Sequence, residues 1–224
     1  MVKIDFKNRK TLILLRVVLL LSILIGLYFF LGSHEDVVND EDPVVPNTEE
    51  IEVPDIVTES TEIPEESEPE EFYVPADFPK YLTIPSINIR GYIQSVGIDQ
   101  DGLIAVPTNV HLAGWYINSA KPGKEGLSII DGHRDGSSIG GIFRNLETLS
   151  KGDVLSVEYG DGTVYDFEVV DLKQLSIEES YDFMYSRIDG VDIQLNLVTC
   201  GGKWNKEIKT YEDRIIVRAK GGVN

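Results

Sequence analysis

Three textures of apolar and polar residues follow one another along this chain. From Val17 to Ser33 no charged residue occurs. With Leu12 to Leu15 added, the apolar run matches the roughly 20 residues that a helix needs to cross a hydrocarbon core. From 34 to 76 apolar positions recur with no structural period, among acids and prolines in a loose repeat of Glu52-Val-Pro54, Glu62-Ile-Pro64 and Glu68-Pro69. Past Phe78 the texture becomes short β-rich runs divided by turn residues: Tyr81 to Ile84, Ile87 to Ile89, Tyr92 to Val96, Leu103 to Val106, Leu127 to Ile130, Val154 to Tyr159, Thr163 to Asp171, Ile193 to Thr199 and Ile215 to Val217.

That spacing predicts an all-β barrel or sandwich. Asp99-Gln-Asp-Gly102 and Gly160-Asp-Gly162 read as tight turns, because Asp and Gly tolerate the backbone angles such connections need. Asp99-Gln-Asp101 lacks the remaining ligands of a calcium loop and is read as a turn only. Helix is predicted in two short pieces, around Ile142 to Leu146 and across Ile177 to Tyr185, where apolar residues recur at helical spacing.

Charge divides the chain in the same way. The formal net charge is −18, but 16 acidic residues and no Lys or Arg fall between Glu35 and Glu71, whereas 21 acids face 15 bases from Asp77 onward. Residues 34–76 therefore cannot build a core and read as a disordered acidic stalk. No basic stripe tracks a phosphate backbone, which excludes nucleic acid as the expected partner. Lys3, Lys7, Arg9, Lys10 and Arg16 precede the apolar run or open it, and acids follow it. This asymmetry places the N-terminus in the cytoplasm and everything past Ser33 outside. The expected organisation is a basic segment 1–10, a membrane-spanning signal anchor 11–33, the stalk 34–76 and a globular domain 77–224. A cleaved signal peptide competes with the anchor, but the run exceeds the usual 7–15 residues and no A-x-A-like site follows.

Candidate chemistry lies at the ends of three β-rich runs. Cys200, the single cysteine, follows Ile193–Thr199 and precedes Gly201-Gly202. His133 follows Leu127–Ile130 within Asp131-Gly132-His133-Arg134, and Arg214 opens Ile215-Ile216-Val217. A thiol becomes an acyl-transfer nucleophile when an imidazole is within reach, and a fixed cation stabilises the developing oxyanion. Each residue also has a plainer reading. A lone cysteine is often a small buried hydrophobe, His133 an ordinary polar residue, and Arg214 the ion-pair partner of Glu212 or Asp213. Arg218 shares a strand face with Arg214. His34 falls in the stalk and His111 lacks neighbouring glycines. One Cys and three dispersed His offer no metal-ligand spacing, so neither metal nor cofactor is expected.

At Gly132-His133-Arg134, Leu197-Val-Thr-Cys200 and Glu212-Asp-Arg214, in that order, the chain resembles the sortases, membrane-anchored cysteine transpeptidases of mainly Gram-positive bacteria. The resemblance spans roughly Tyr81 to Lys220. Val106-Pro107, Gly114-Trp-Tyr116, Thr199-Cys-Gly-Gly202 and Tyr211-Glu-Asp look most like class F, although Arg134 stands where many class F members carry valine. The resemblance implies a closed eight-stranded β-barrel with one or two short helices. It also implies an LPxTG-like sorting motif cleaved through a Cys200 thioester, with His133 as proton donor and acceptor, Arg214 stabilising oxyanion or substrate, and Thr199 contacting substrate. The implied partners are surface proteins bearing the motif and an amine acceptor, a cell-wall precursor or another surface protein. Specificity would reside largely in residues 175–192, where Tyr181-Asp-Phe-Met-Tyr185 either lines a groove or is simply helix core. A cysteine hydrolase on the same fold and a non-catalytic binding module on a stalk are the alternatives.

Overall fold

The computed structural model describes residues 55–60, 63–71, 73–207 and 209–222. All belong to the unit Ile51–Asn224. The predicted cytoplasmic segment, the span 11–33 and the stalk up to residue 54 lie outside the described residues, among which no helix is long and apolar enough to cross a membrane.

Eight strands close into a barrel: β1 (Pro79–Ile84), β2 (Ile89–Val96), β3 (Ala113–Tyr116), β4 (Gly126–Gly132), β5 (Val154–Tyr159), β6 (Val164–Ser176), β7 (Ile193–Asn205) and β8 (Thr210–Gly221). Their order around the barrel is β1-β2-β3-β4-β7-β8-β6-β5. β2 runs parallel to β3, and β4 parallel to β7. Among the described residues a single α-helix, α1 (Ile177–Tyr185), follows β6 directly. Its start is fixed by the N-cap Ser176, whose hydroxyl accepts from the Glu179 N–H, satisfying one donor the first turn leaves open, and donates to the Glu179 carboxylate.

Side-chain alternation explains the closure. Along β7, Leu195 and Leu197 face the barrel interior with Ile130, Ile215 and Val217, all fully buried. Enclosing each such side chain stabilises the barrel by about 1.5–3 kcal/mol. The outward residues of the same strands are buried as well, since Ile129, Val198 and Ile216 pack under Met184 of α1. Outward Gln194 and Asn196 are buried polar groups with partners. Asn196 donates to the Met184 carbonyl at 2.6 Å, and Gln194 donates to the Ser186 carbonyl and accepts from the Ile188 N–H. The polar half of the β7 alternation thus anchors the end of α1 and the loop behind it.

The structure departs from the sequence reading in several places. Leu103–Val106 forms no strand beyond a bridge from Ile98 to Ile104, whereas β3 was not foreseen. Ile87 closes a 3-10 turn before β2, and the piece expected as helix at Ile142 to Leu146 is a turn leading into a 3-10 segment, Leu146–Thr148. Asp99 builds its predicted turn by accepting the N–H groups of Asp101 and Leu103, both at 3.0 Å. The largest departure concerns the stalk. Within it, residues 55–60 and 63–71 lie along the barrel, with bridges from Val57 to Val96 and from Glu65 to Asn109. Acidic side chains do not prevent this, because main-chain groups at the barrel rim accept a strand whatever its charge.

Candidate active site

Beyond Val198, the last β7 residue paired with β4, strand β7 leaves the closed barrel and continues only with β8. Cys200 is the second residue of this extension, directly opposite Arg214. It therefore lies within a strand, not at its end as the sequence suggested, but it lies where the barrel ends. The glycine pair that follows it makes room for the neighbouring strand. A Cβ on Gly201 would stand 2.8 Å from Ile215, and one on Gly202, at φ +75°, 2.5 Å from the Asp213 carboxylate. These glycines admit β8 where the register of the pair is irregular.

Cys200 and Arg214 share the outward face and open onto one groove of about 300 Å³. Ile129, Asp131 and Val198 also line it, with Tyr181, Met184 and Tyr185 of α1 on one side and Leu103, Ile104 and Val106 on the other. Tyr181 and Tyr185 are exposed toward the groove while Met184 is buried, so the helix supplies both a lining and a core. Arg214 donates through Nη1 to the main-chain carbonyls of Tyr211 and Asp213, at 3.2 and 2.9 Å. Among the described residues no carboxylate forms an ion pair with it. The expected competitor Arg218 faces Asn196, four residues further along, where it donates to Ser186 and lies 4.4 Å over the Phe183 ring.

His133 follows Gly132, the last residue of β4. Its Nε2 lies 2.7 Å from the Pro107 carbonyl. A carbonyl only accepts, so Nε2 carries the hydrogen and Nδ1 is the nitrogen that titrates. The ring is engaged by Pro107 and not by the Cys200 sulfur. Thr199 joins the two sides, since its buried hydroxyl donates to the Gly132 carbonyl at 2.8 Å. His111 instead donates to the Glu66 carbonyl at 3.2 Å, and His34 lies outside the described residues.

The loop after His133 is held by ion pairs that sequence reasoning did not find. Arg134 meets Glu147 at 2.8 Å, Arg144 meets Asp135 at 2.8 Å, and the Tyr211 hydroxyl donates to Asp135 at 2.7 Å. A Cβ on Gly141 would stand 2.3 Å from the His133 carbonyl oxygen. Only glycine lets the following turn close over the histidine, where the Phe143 N–H donates to that oxygen.

Burial pushes the Cys200 thiol above its ordinary value of 9.0, an effect that Arg214 opposes and Asp131 reinforces. Burial pushes the His133 imidazole below 6.5, opposed by the bond to Pro107. Asp131 was not singled out from the sequence. It is 9% exposed, its Oδ1 has no partner, and it fits because Gly114 has no Cβ, which would stand 2.4 Å from that oxygen. Desolvation raises its pKa well above 3.8, so the native state holds a proton that the unfolded chain releases. Its stabilising effect is full below the unfolded value of 3.8 and is lost as pH rises toward the folded value. Asp131→Asn is accordingly expected to flatten this decline. Urea midpoints of both proteins between about pH 4 and 8 measure it, and parallel curves would contradict it.

A thiol and a guanidinium without a described carboxylate partner on one groove, with an imidazole on the residue that follows its lining Gly132, are the parts of an acyl-transfer site. The model of the sortase domain family matches residues 82–221. No curated protein matches the sequence. Among solved structures, sortase C-1 of Actinomyces oris is 25% identical, over 63% of this chain and 72% of its own, with a TM-score of 0.46. A sortase D5 transpeptidase of Clostridium perfringens is 26% identical, over 65% and 79%, at 0.47. A lid mutant of sortase A from Corynebacterium diphtheriae is 23% identical, over 68% and 73%, at 0.50, and supports the barrel fold. With a family match over more than half of its length, the chain belongs to the sortase family of cysteine transpeptidases.

Proposed function

We propose that this transpeptidase, anchored by residues 11–33 with residues 77–224 outside the cell, cleaves an LPxTG-like sorting motif through Cys200. The acyl group then passes to an amine of a cell-wall precursor or surface protein. The observation that carries this reading is the direct cross-strand pairing of Cys200 with an Arg214 whose charge no described carboxylate neutralises. The motif would lie along the groove between α1 and the 103–106 loop. The Cys200 thiolate attacks the peptide carbonyl, and Arg214 holds the oxyanion. As the thioester forms, the C–N bond breaks and the departing amine takes a proton from His133. An incoming amine returns a proton to His133 and displaces the thiolate, leaving an amide. Thr199 lines the same groove, with its hydroxyl committed to Gly132. The class F reading is carried by Val106-Pro107, Gly114-Trp-Tyr116 and Thr199-Cys-Gly-Gly202.

The test is incubation of full-length protein in detergent with LPxTG-like peptides, with and without an amine acceptor, followed by mass detection. An acyl-enzyme that the amine converts to an amide supports the reading. No adduct with any such peptide would sink it, and exclusive release of free acid would make the protein a hydrolase.

Arg214→Ala is expected to lower kcat on the order of 100- to 1,000-fold, the usual cost of one lost oxyanion donor. Because Arg214 also lowers the thiol pKa, alkylation of Cys200 should require higher pH in the variant. Lysine should restore part of the charge effect but not the planar fork. Equal kcat in all three proteins would remove Arg214 from the mechanism.

A further inference from the structure

Residues 55–60 and 63–71 sit where the composition reads as spacer, yet they engage both loops that bracket His133. One loop carries Pro107, whose carbonyl holds the imidazole. On this side the Glu65 N–H donates to the Thr108 carbonyl at 2.8 Å, and the Val110 N–H donates to the Glu65 carbonyl at 2.9 Å. Asn109 donates to the Ser67 carbonyl at 2.8 Å. Farther along the same loop, the Ser60 hydroxyl donates to Asp99 at 3.0 Å and accepts from the Val106 N–H at 3.4 Å. The second loop follows His133 directly. There the Glu66 carboxylate accepts the Ser138 N–H at 2.8 Å and also the Ser138 hydroxyl. A Cβ on Gly136 would stand 2.4 Å from Glu66 Oε1, so glycine permits the approach. Glu66 joins the two sides, because its carbonyl accepts from His111 while its carboxylate holds Ser138.

From this geometry we infer that residues 55–60 and 63–71 form a strap belonging to the catalytic domain, in which Glu66 is a positioning residue for His133. The inference rests on the reading of His133 as proton donor and acceptor. Glu66 acts through the two loops and touches neither sulfur nor imidazole. The strap leaves the groove usable, since Cys200 is not enclosed. Its effect is to fix where Pro107 and the 134–140 loop stand, and hence which nitrogen of His133 carries the hydrogen. The catalytic unit then begins near residue 55, and excision at 77 would discard part of the site's support.

Full-length Glu66→Ala, Glu66→Gln and Glu65→Pro test this, the last removing the N–H donated to Thr108. Proline costs a ladder bond without touching the Glu66 carboxylate. For Glu66→Ala and Glu65→Pro, kcat is expected to fall on the order of 10- to 100-fold with KM nearly unchanged, as small misplacements of catalytic groups do. Glu66→Gln, which keeps an acceptor oxygen toward Ser138, should recover most of the loss. A second readout does not need turnover. Nitrogen-15 spectra of the imidazole should show the Nε2–H tautomer of His133 in the wild type and a tautomer mixture in Glu66→Ala. Wild-type kcat together with an unchanged tautomer in folded Glu66→Ala would overturn the inference. Raised activity would do so too, by making the strap a cover. If wild-type protein shows no acyl transfer while the tautomer still responds to Glu66, it is the function of His133 that fails and not the positioning.

Discussion

Replacing Cys200 with alanine is expected to abolish the acyl-enzyme and reduce turnover on the order of 10,000-fold or more, as removal of a nucleophile does when the remaining groups act as a unit with it. Serine should be no better. Its hydroxyl is far less acidic than a thiol, and the imidazole that would have to activate it is bound to Pro107 and depressed by burial. Stability should change little, because Cys200 is half-buried and the alanine variant removes one atom without orphaning a hydrogen bond. A difference under about 1 kcal/mol is expected. Mass spectra of protein quenched during turnover, together with urea unfolding, check both halves. Turnover by Cys200→Ala within tenfold of wild type would mean that the chemistry lies elsewhere on the molecule.

The parts of this site legible in the sequence are those encoded by local periodicity. Leu195 and Leu197 alternate with Gln194 and Asn196, which marks a strand, and the run of apolar residues before His133 marks another. The Ser176 to Glu179 spacing opens a helix where the amphipathic pattern begins. Local pattern does not register what depends on partners distant in the chain. β3 is four residues long, two of them glycine and alanine, and is a strand because β2 and β4 flank it. Leu103–Val106 has the composition of a strand but lines the groove instead. Gly201-Gly202 make room for β8, a neighbour distant in the chain that local pattern does not reveal. Pro107 acts through its carbonyl, which no side-chain reading detects. The acidity of residues 55–71 suppressed any expectation of docking, because composition weighs side chains and the bridges use main chain. Asp131 stood in plain view beside the Gly-His pair, yet only the fold reveals that its buried Oδ1 has no partner.

His133→Ala is expected to lower kcat on the order of 100- to 10,000-fold, the range for a positioned proton donor, with KM little affected because the imidazole does not line the groove. Its pH dependence makes the test specific. The proposed mechanism needs Cys200 as thiolate and His133 as imidazolium, but burial raises the thiol from 9.0 and lowers the imidazole from 6.5. Near neutrality most molecules therefore hold a thiol and a neutral imidazole, and the competent ion pair is a minority. The wild-type kcat/KM profile should be bell-shaped, with limits that belong to the pair, an acid limb below 6.5 and an alkaline limb above 9.0. In His133→Ala no bell remains. Activity should rise with pH toward the thiol value, since the thiolate still forms but the departing amine must take its proton from water. With Nε2 committed to Pro107, the proton that moves is on Nδ1, so His133→Gln, whose amide nitrogen reaches toward the Nε2 position and does not titrate, should be as impaired as alanine. A variant that keeps the bell, or a wild-type alkaline limb near 7, would show that burial does not govern these two groups and that the thiolate is preformed.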